Sequence, residues 1–175
     1  MSLFQSVWGN VFLFQIAWFS GVLGAAHHQS GWGTILIVVC VLIHVLGAPK
    51  DSRLTELWLI GRCLLLGIVV ETLFVQAQIM AYAETGPWDW MCPLWLAGLW
   101  AAFAMTLNHS LKWLKNHVVG AAILGALLGP MSYWAGARLG AGEIPDPLMS
   151  TFVISLAWFV ALPLMMRWSQ REISW

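Results

Sequence analysis

Leu54-Thr-Glu-Leu-Trp-Leu-Ile-Gly-Arg-Cys-Leu-Leu-Leu-Gly-Ile-Val-Val-Glu-Thr-Leu-Phe-Val-Gln-Ala77 runs for 24 residues without a proline. Crossing a bilayer takes about 20 predominantly apolar residues, so this stretch has the length and character of a transmembrane helix. Arg62 and Glu71 stand inside it. Working outward, apolar runs separated by polar or Gly/Pro breaks recur at Leu3–Ala26, Gly31–Leu46, Met91–Leu107, His117–Ala137 and Leu148–Met166. The whole chain agrees: of 175 residues 60% are apolar and 9% charged, and mean hydropathy is +0.77. A soluble domain is about a quarter charged. Six spans use roughly 120 residues, leaving tails and loops too short for a soluble catalytic or ligand-binding domain. The expected fold is an all-α integral membrane bundle, one transmembrane domain over 1–175. The first run lacks a basic n-region and is too long for a signal h-region, so it reads as a permanent span.

Basic residues set the orientation. Lys50, Arg53, Lys112, Lys115, Arg167 and Arg171 all fall on one side of alternating spans, against Arg138 on the other. Both termini are therefore expected in the cytoplasm. Glu84, Asp89, Glu143 and Asp146 fall outside. The formal net charge is zero, with 8 Lys+Arg against 8 Asp+Glu, which gives no reason to expect a nucleic-acid partner.

The 13 Trp sort by depth. Trp8, Trp58, Trp113, Trp168 and Trp175 fall near the inner interface and Trp32, Trp88, Trp90, Trp95 and Trp134 near the outer one, as an aromatic belt. Trp18, Trp100 and Trp158 lie deeper, where helix packing is the favoured reading and a cavity wall the other. In the fifth span Ala121, Gly125, Gly129, Ser132, Gly136 and Gly140 form a small-residue stripe that permits close helix approach. Packing within the bundle is favoured over a substrate groove, with a homo-oligomer face also open. Pro130 interrupts the stripe and is expected to kink the helix.

Polar residues at membrane depth are functional-site hypotheses. Arg62, Asn10, Asn108 and His109 approach one leaflet, and Glu71 and Tyr133 the other, with Gln15 near the middle. Gln78 shares the Glu71 face by its spacing of seven. Arg62 and Glu71, nine residues apart, point in opposite directions and cannot pair. Arg62, a permanent cation with a five-donor fork, is expected to meet an acceptor from span one, two or four, or a bound anion, in one connected site with Asn108 and His109. Glu71 is expected to face the interior near Tyr133. The candidate binding set is thus Asn10, Gln15, Arg62, Glu71, Asn108, His109 and Tyr133. Lys112 and Lys115 read as snorkelling anchors.

No metal ligands are assigned, because no His-x-x-x-His pair or similar motif occurs. His44, His109 and His117 lie near one boundary with Asp51, and their convergence from different helices is the weaker alternative. Cys40, Cys63 and Cys92 sit at different depths, so no disulfide is expected. Walker, Rossmann and Gly-x-Ser-x-Gly signatures are absent, and no cofactor can be named.

Three segments carry a resemblance: Asn10-Val-Phe-Leu-Phe-Gln-Ile-Ala-Trp18, Trp95-Leu-Ala-Gly-Leu-Trp-Ala-Ala-Phe-Ala-Met-Thr-Leu-Asn-His-Ser-Leu-Lys-Trp113, and Leu128-Gly-Pro-Met-Ser-Tyr-Trp-Ala-Gly-Ala-Arg-Leu-Gly-Ala141. Together they resemble an uncharacterised family of small bacterial inner-membrane proteins, a domain of unknown function. The resemblance implies a bacterial inner membrane and a loose link to gene neighbourhoods for fatty-acyl-chain modification. It implies no activity and no catalytic residue. The expected function is binding or processing of a lipid-like molecule, with membrane lipid as the partner. The alternatives are a metal-dependent membrane hydrolase, a small transporter, or a structural subunit of a membrane enzyme.

Overall fold

The computed structural model describes residues 6–171, the last of them as backbone only. The expected first-span start at Leu3, the belt position of Trp175 and the side chain of Arg171 lie outside the described residues. Six helices follow in order: α1 (Val7–Ala26), α2 (Ser30–Gly47), α3 (Arg53–Gln76), α4 (Leu94–Leu107), α5 (Val118–Arg138) and α6 (Pro147–Arg171). Local chemistry fixes their ends. The Ser6 hydroxyl accepts from the Gly9 amide at 3.1 Å, an N-cap for α1. Asp146 Oδ1 accepts from the Leu148 and Met149 amides at 3.1 and 3.0 Å, and Pro147 takes the first position of α6, where a missing N–H costs nothing. Arg53 donates from Nε to the Ala48 carbonyl at 3.1 Å and from Nη2 to the Leu46 carbonyl at 2.6 Å. Those carbonyls close α2 at its negative dipole end.

Among the described residues, five helices are long and apolar enough to cross a membrane. The exception is α4. Its 14 residues rise about 21 Å, short of the ~30 Å hydrocarbon layer. Pro93 stands at its N-cap, and the chain after Leu107 breaks into turns and the short 3-10 helix Lys112–Leu114. The shortness is affordable because α4 is the axis of the bundle, with eleven residues from Trp95 to Leu107 buried. Irregular backbone at membrane depth is tolerated where protein covers it. Around this axis α1 packs on α2 and α4, α3 packs on α4, and α5 packs on α6. The outward faces carry exposed Leu36, Val38, Leu65, Val69, Phe152, Leu156 and Val160, a surface for lipid tails.

Glycines set the closest approaches. A Cβ on Gly67 would lie 2.2 Å from Trp100 Cγ, and one on Gly129 would lie 2.4 Å from Trp158 Cγ. Trp100 and Trp158 stack on each other with ring centroids 4.7 Å apart and planes at 23°. One laminated core therefore runs from α3 through α4 and α6 to α5. Two residues of the α5 stripe serve packing inside the chain, the favoured reading above: Gly125 and Gly129 are covered by Trp158. Trp8, Trp32, Trp58, Trp88, Trp90 and Trp113 are exposed, whereas Trp95, placed in the belt by sequence, is 3% exposed because it opens the buried helix α4.

Candidate functional site

A cavity of about 520 Å³ lies between α1, α4, α5 and α6. It reaches from Glu71 and Tyr82 at one end of the bundle to Ser110 and Leu114 at the other. Trp18, Trp95, Trp100 and Trp158 all line it, as do Phe14, Leu99 and Phe103. The deep tryptophans thus serve packing and cavity wall together. Gln15, Phe19, Leu128 and Met131 also line it and are exposed, so the cavity opens sideways between α1 and α5. Gly136 is buried, yet a Cβ there would meet nothing within 4 Å. The stripe of α5 therefore both seats Trp158 and keeps this space clear.

Glu71 forms the polar end. It is 0% exposed and accepts from Trp100 Nε1 at 2.8 Å and from the Tyr82 hydroxyl at 2.6 Å. The Tyr133 hydroxyl donates to the same carboxyl. The chain contains only 2 Tyr, and both end on this group. Trp100 can only donate, whereas each phenol can donate to a carboxylate or accept from a protonated acid. Tyr82 is brought there by a two-residue ladder in which β1 (Ala81–Tyr82) pairs antiparallel with β2 (Gly142–Glu143). A Cβ on Gly142 would lie 2.6 Å from the Ala81 carbonyl oxygen, so only glycine permits this clip. Gln78, expected on the Glu71 face, lies beyond the end of α3 with φ of 56° and is exposed. Tyr82 and Trp100 take its place.

The other polar layer gathers residues beyond the expected set. Arg62 sits on the exposed side of α3, diametrically opposite Glu71 as nine helical steps require. Turning Glu71 inward necessarily turns Arg62 outward. Asn108 and His109 meet Glu56, which is 6% exposed. Asn108 Nδ2 donates to Glu56 Oε1 at 3.0 Å. His44 Nε2 stands 3.4 Å from Glu56 Oε2, and His109 Nε2 3.6 Å from Oε1. The two imidazoles meet edge to face at 4.9 Å. Lys115, 8% exposed, is no snorkelling anchor: its ammonium donates to Asn108 Oδ1 and, at 3.1 Å, to the Ser169 carbonyl. His117 and Asp51, grouped with His44 by sequence, are exposed.

Asn10 is 0% exposed and fully engaged. Its Nδ2 donates to the Met105 carbonyl at 3.0 Å, and its Oδ1 accepts from the Ser110 hydroxyl at 2.8 Å. It ties α1 to the end of α4. Sequence reasoning therefore missed Tyr82 and Glu56 as site residues, and held His44 and Trp100 only as the less favoured metal and cavity-wall readings. For His44 and Glu56 a signal existed, since they occupy the last turn of α2 and the first of α3 across a short connection. Read singly, each looks like an ordinary helix-dipole residue.

A family model described as a protein of unknown function (DUF2878) matches residues 7–164. The chain belongs to that family. No curated protein and no solved structure matches it.

Proposed function

We propose that this family member holds a lipid-like molecule in the lateral cavity, with its polar head at Glu71, Tyr82 and Tyr133 and its tail running toward Ser110. One observation carries the reading: a largely apolar cavity of about 520 Å³ is open toward the membrane side and ends at a fully buried carboxyl. That volume falls within the ~300–1,000 Å³ of small-molecule sites. Apolar chains are the natural filling, and the carboxyl supplies selectivity. Among the described lining residues there is no Lys, Arg or His. A phosphate head would thus face a carboxyl without a cation, so the head is better an uncharged hydroxyl or amide that can exchange hydrogen bonds with the phenols. We assign the protein to the bacterial inner membrane with cytoplasmic termini, on the basic-residue asymmetry and the sequence resemblance.

The test is photolabelling in nanodiscs with a diazirine-bearing long-chain alcohol, followed by peptide mapping. Labels are expected on α1, α4 and α5 residues that line the cavity. Gly136→Leu fills open space without a backbone clash and should cut that labelling several-fold. Uniform labelling of the outward helix faces, unchanged by Gly136→Leu, would refute the reading.

A further inference from the structure

We infer that His44, Glu56 and His109 form a binding site for one divalent transition-metal ion of the zinc class, separate from the lipid cavity. Each residue offers one ligand atom, and the three atoms lie within 4.8 Å of one another. They come from three places in the chain: the last turn of α2, the first turn of α3 and the turn after α4.

The distances favour a shared ion over direct pairing. A charge-assisted nitrogen–oxygen hydrogen bond closes to ~2.7–2.9 Å. Here His44 Nε2 makes only a long hydrogen bond to Glu56 at 3.4 Å, and His109 Nε2 stands off at 3.6 Å. Bonds of ~2.0–2.1 Å at tetrahedral angles would set neighbouring ligand atoms about 3.4 Å apart. Each imidazole thus stands near co-ligand spacing from one oxygen of the carboxylate, and the three ligand atoms stay within 4.8 Å of one another. His109 Nε2, which faces the carboxylate, is buried with no hydrogen-bond partner. An unpaired buried nitrogen is costly, and a metal bond would satisfy it.

The carboxylate has an outer partner of its own. Asn108 donates to Glu56 Oε1 at 3.0 Å and is itself held by Lys115, which orients the carboxylate as outer partners of metal ligands do. His44 ligating through Nε2 carries its proton on Nδ1, which is buried without a hydrogen-bond partner among the described residues. Two imidazoles and one carboxylate suit zinc, iron(II) or cobalt(II) better than calcium or magnesium, which take oxygen shells. Three protein ligands leave a position for water or a substrate atom, unlike a closed structural site.

The experiment uses the full chain, purified in detergent through a tag without histidine, stripped with chelator and titrated with Zn²⁺ and Co²⁺. One ion per chain is expected, with visible cobalt absorption of a low-coordinate nitrogen/oxygen site and a zinc-dependent rise in Tm. Glu56→Gln keeps the side-chain shape and should weaken binding at least tenfold. His109→Gln, at a half-buried position, should do the same and is read if Glu56→Gln fails to fold. His117→Gln, at an exposed histidine, should leave binding unchanged. Folded wild-type protein that takes up neither ion overturns the inference, as does uptake unaffected by both Glu56→Gln and His109→Gln. Because readout is metal content and spectrum, these outcomes do not depend on lipid labelling of the cavity.

Discussion

At the scale of single residues, Gly67 governs where Trp100 can lie, and Trp100 governs how Glu71 is held. A methyl at position 67 would sit 2.2 Å from Trp100 Cγ. Gly67→Ala must therefore push the indole off α3 and pull its N–H from the carboxyl, at about 1–3 kcal/mol of overpacking. Thermal unfolding in detergent should show the loss, and lipid labelling should fall with it. Gly61→Ala, on the same helix, meets nothing within 4 Å and should unfold no earlier than wild type. If both substitutions behave alike, close contact with Trp100 is not what Gly67 provides. Glu71→Gln separates shape from ionisation: its amide oxygen can still accept from Trp100, so the fold should survive with a cost of about 1 kcal/mol. Alcohol labelling should nevertheless drop several-fold, and full labelling in that variant would make Glu71 structural only.

At the scale of elements, α5 and α6 depend on Trp158, which fills the groove left by Gly125 and Gly129 and stacks on Trp100. Trp158→Ala should cost about 3–5 kcal/mol, read as a large fall in Tm. A small change would mean that the cavity collapses to compensate. This element also shows what sequence could and could not tell. The glycine stripe was legible, because small residues at helical spacing have one packing meaning in lipid. Its partner was not, because stripe positions do not say which helix they receive. Likewise an ionisable residue in an apolar run made Glu71 legible, and its inward rotation followed from the cost of exposure. Tyr82 escaped because a two-residue clip between distant loops, 81–82 with 142–143, leaves no periodic trace.

At the scale of the molecule, sidedness and access are the two consequences to measure. The basic residues predict that a reporter fused after Trp175 is active in the cytoplasm, and one inserted in the Glu84–Asp89 loop is active outside. The reverse pattern would invert every assignment of leaflet. Access follows from the packing plan: α1 sits on α2 and α4, α5 sits on α6, and the two face each other across the cavity with exposed Phe19 and Met131 on its lining. A ligand arriving from the bilayer then needs no opening at either membrane surface. Cysteines placed at Phe19 and Met131 and bridged by a bismaleimide spacer should slow loading of the long-chain alcohol several-fold. The unbridged double variant should load normally, and the native cysteines at 40, 63 and 92 are buried, which limits side reaction. If bridging leaves the loading rate unchanged, the ligand enters instead past the β1–β2 clip. Tyr82 would then be the gate as well as a hydrogen-bond donor to Glu71.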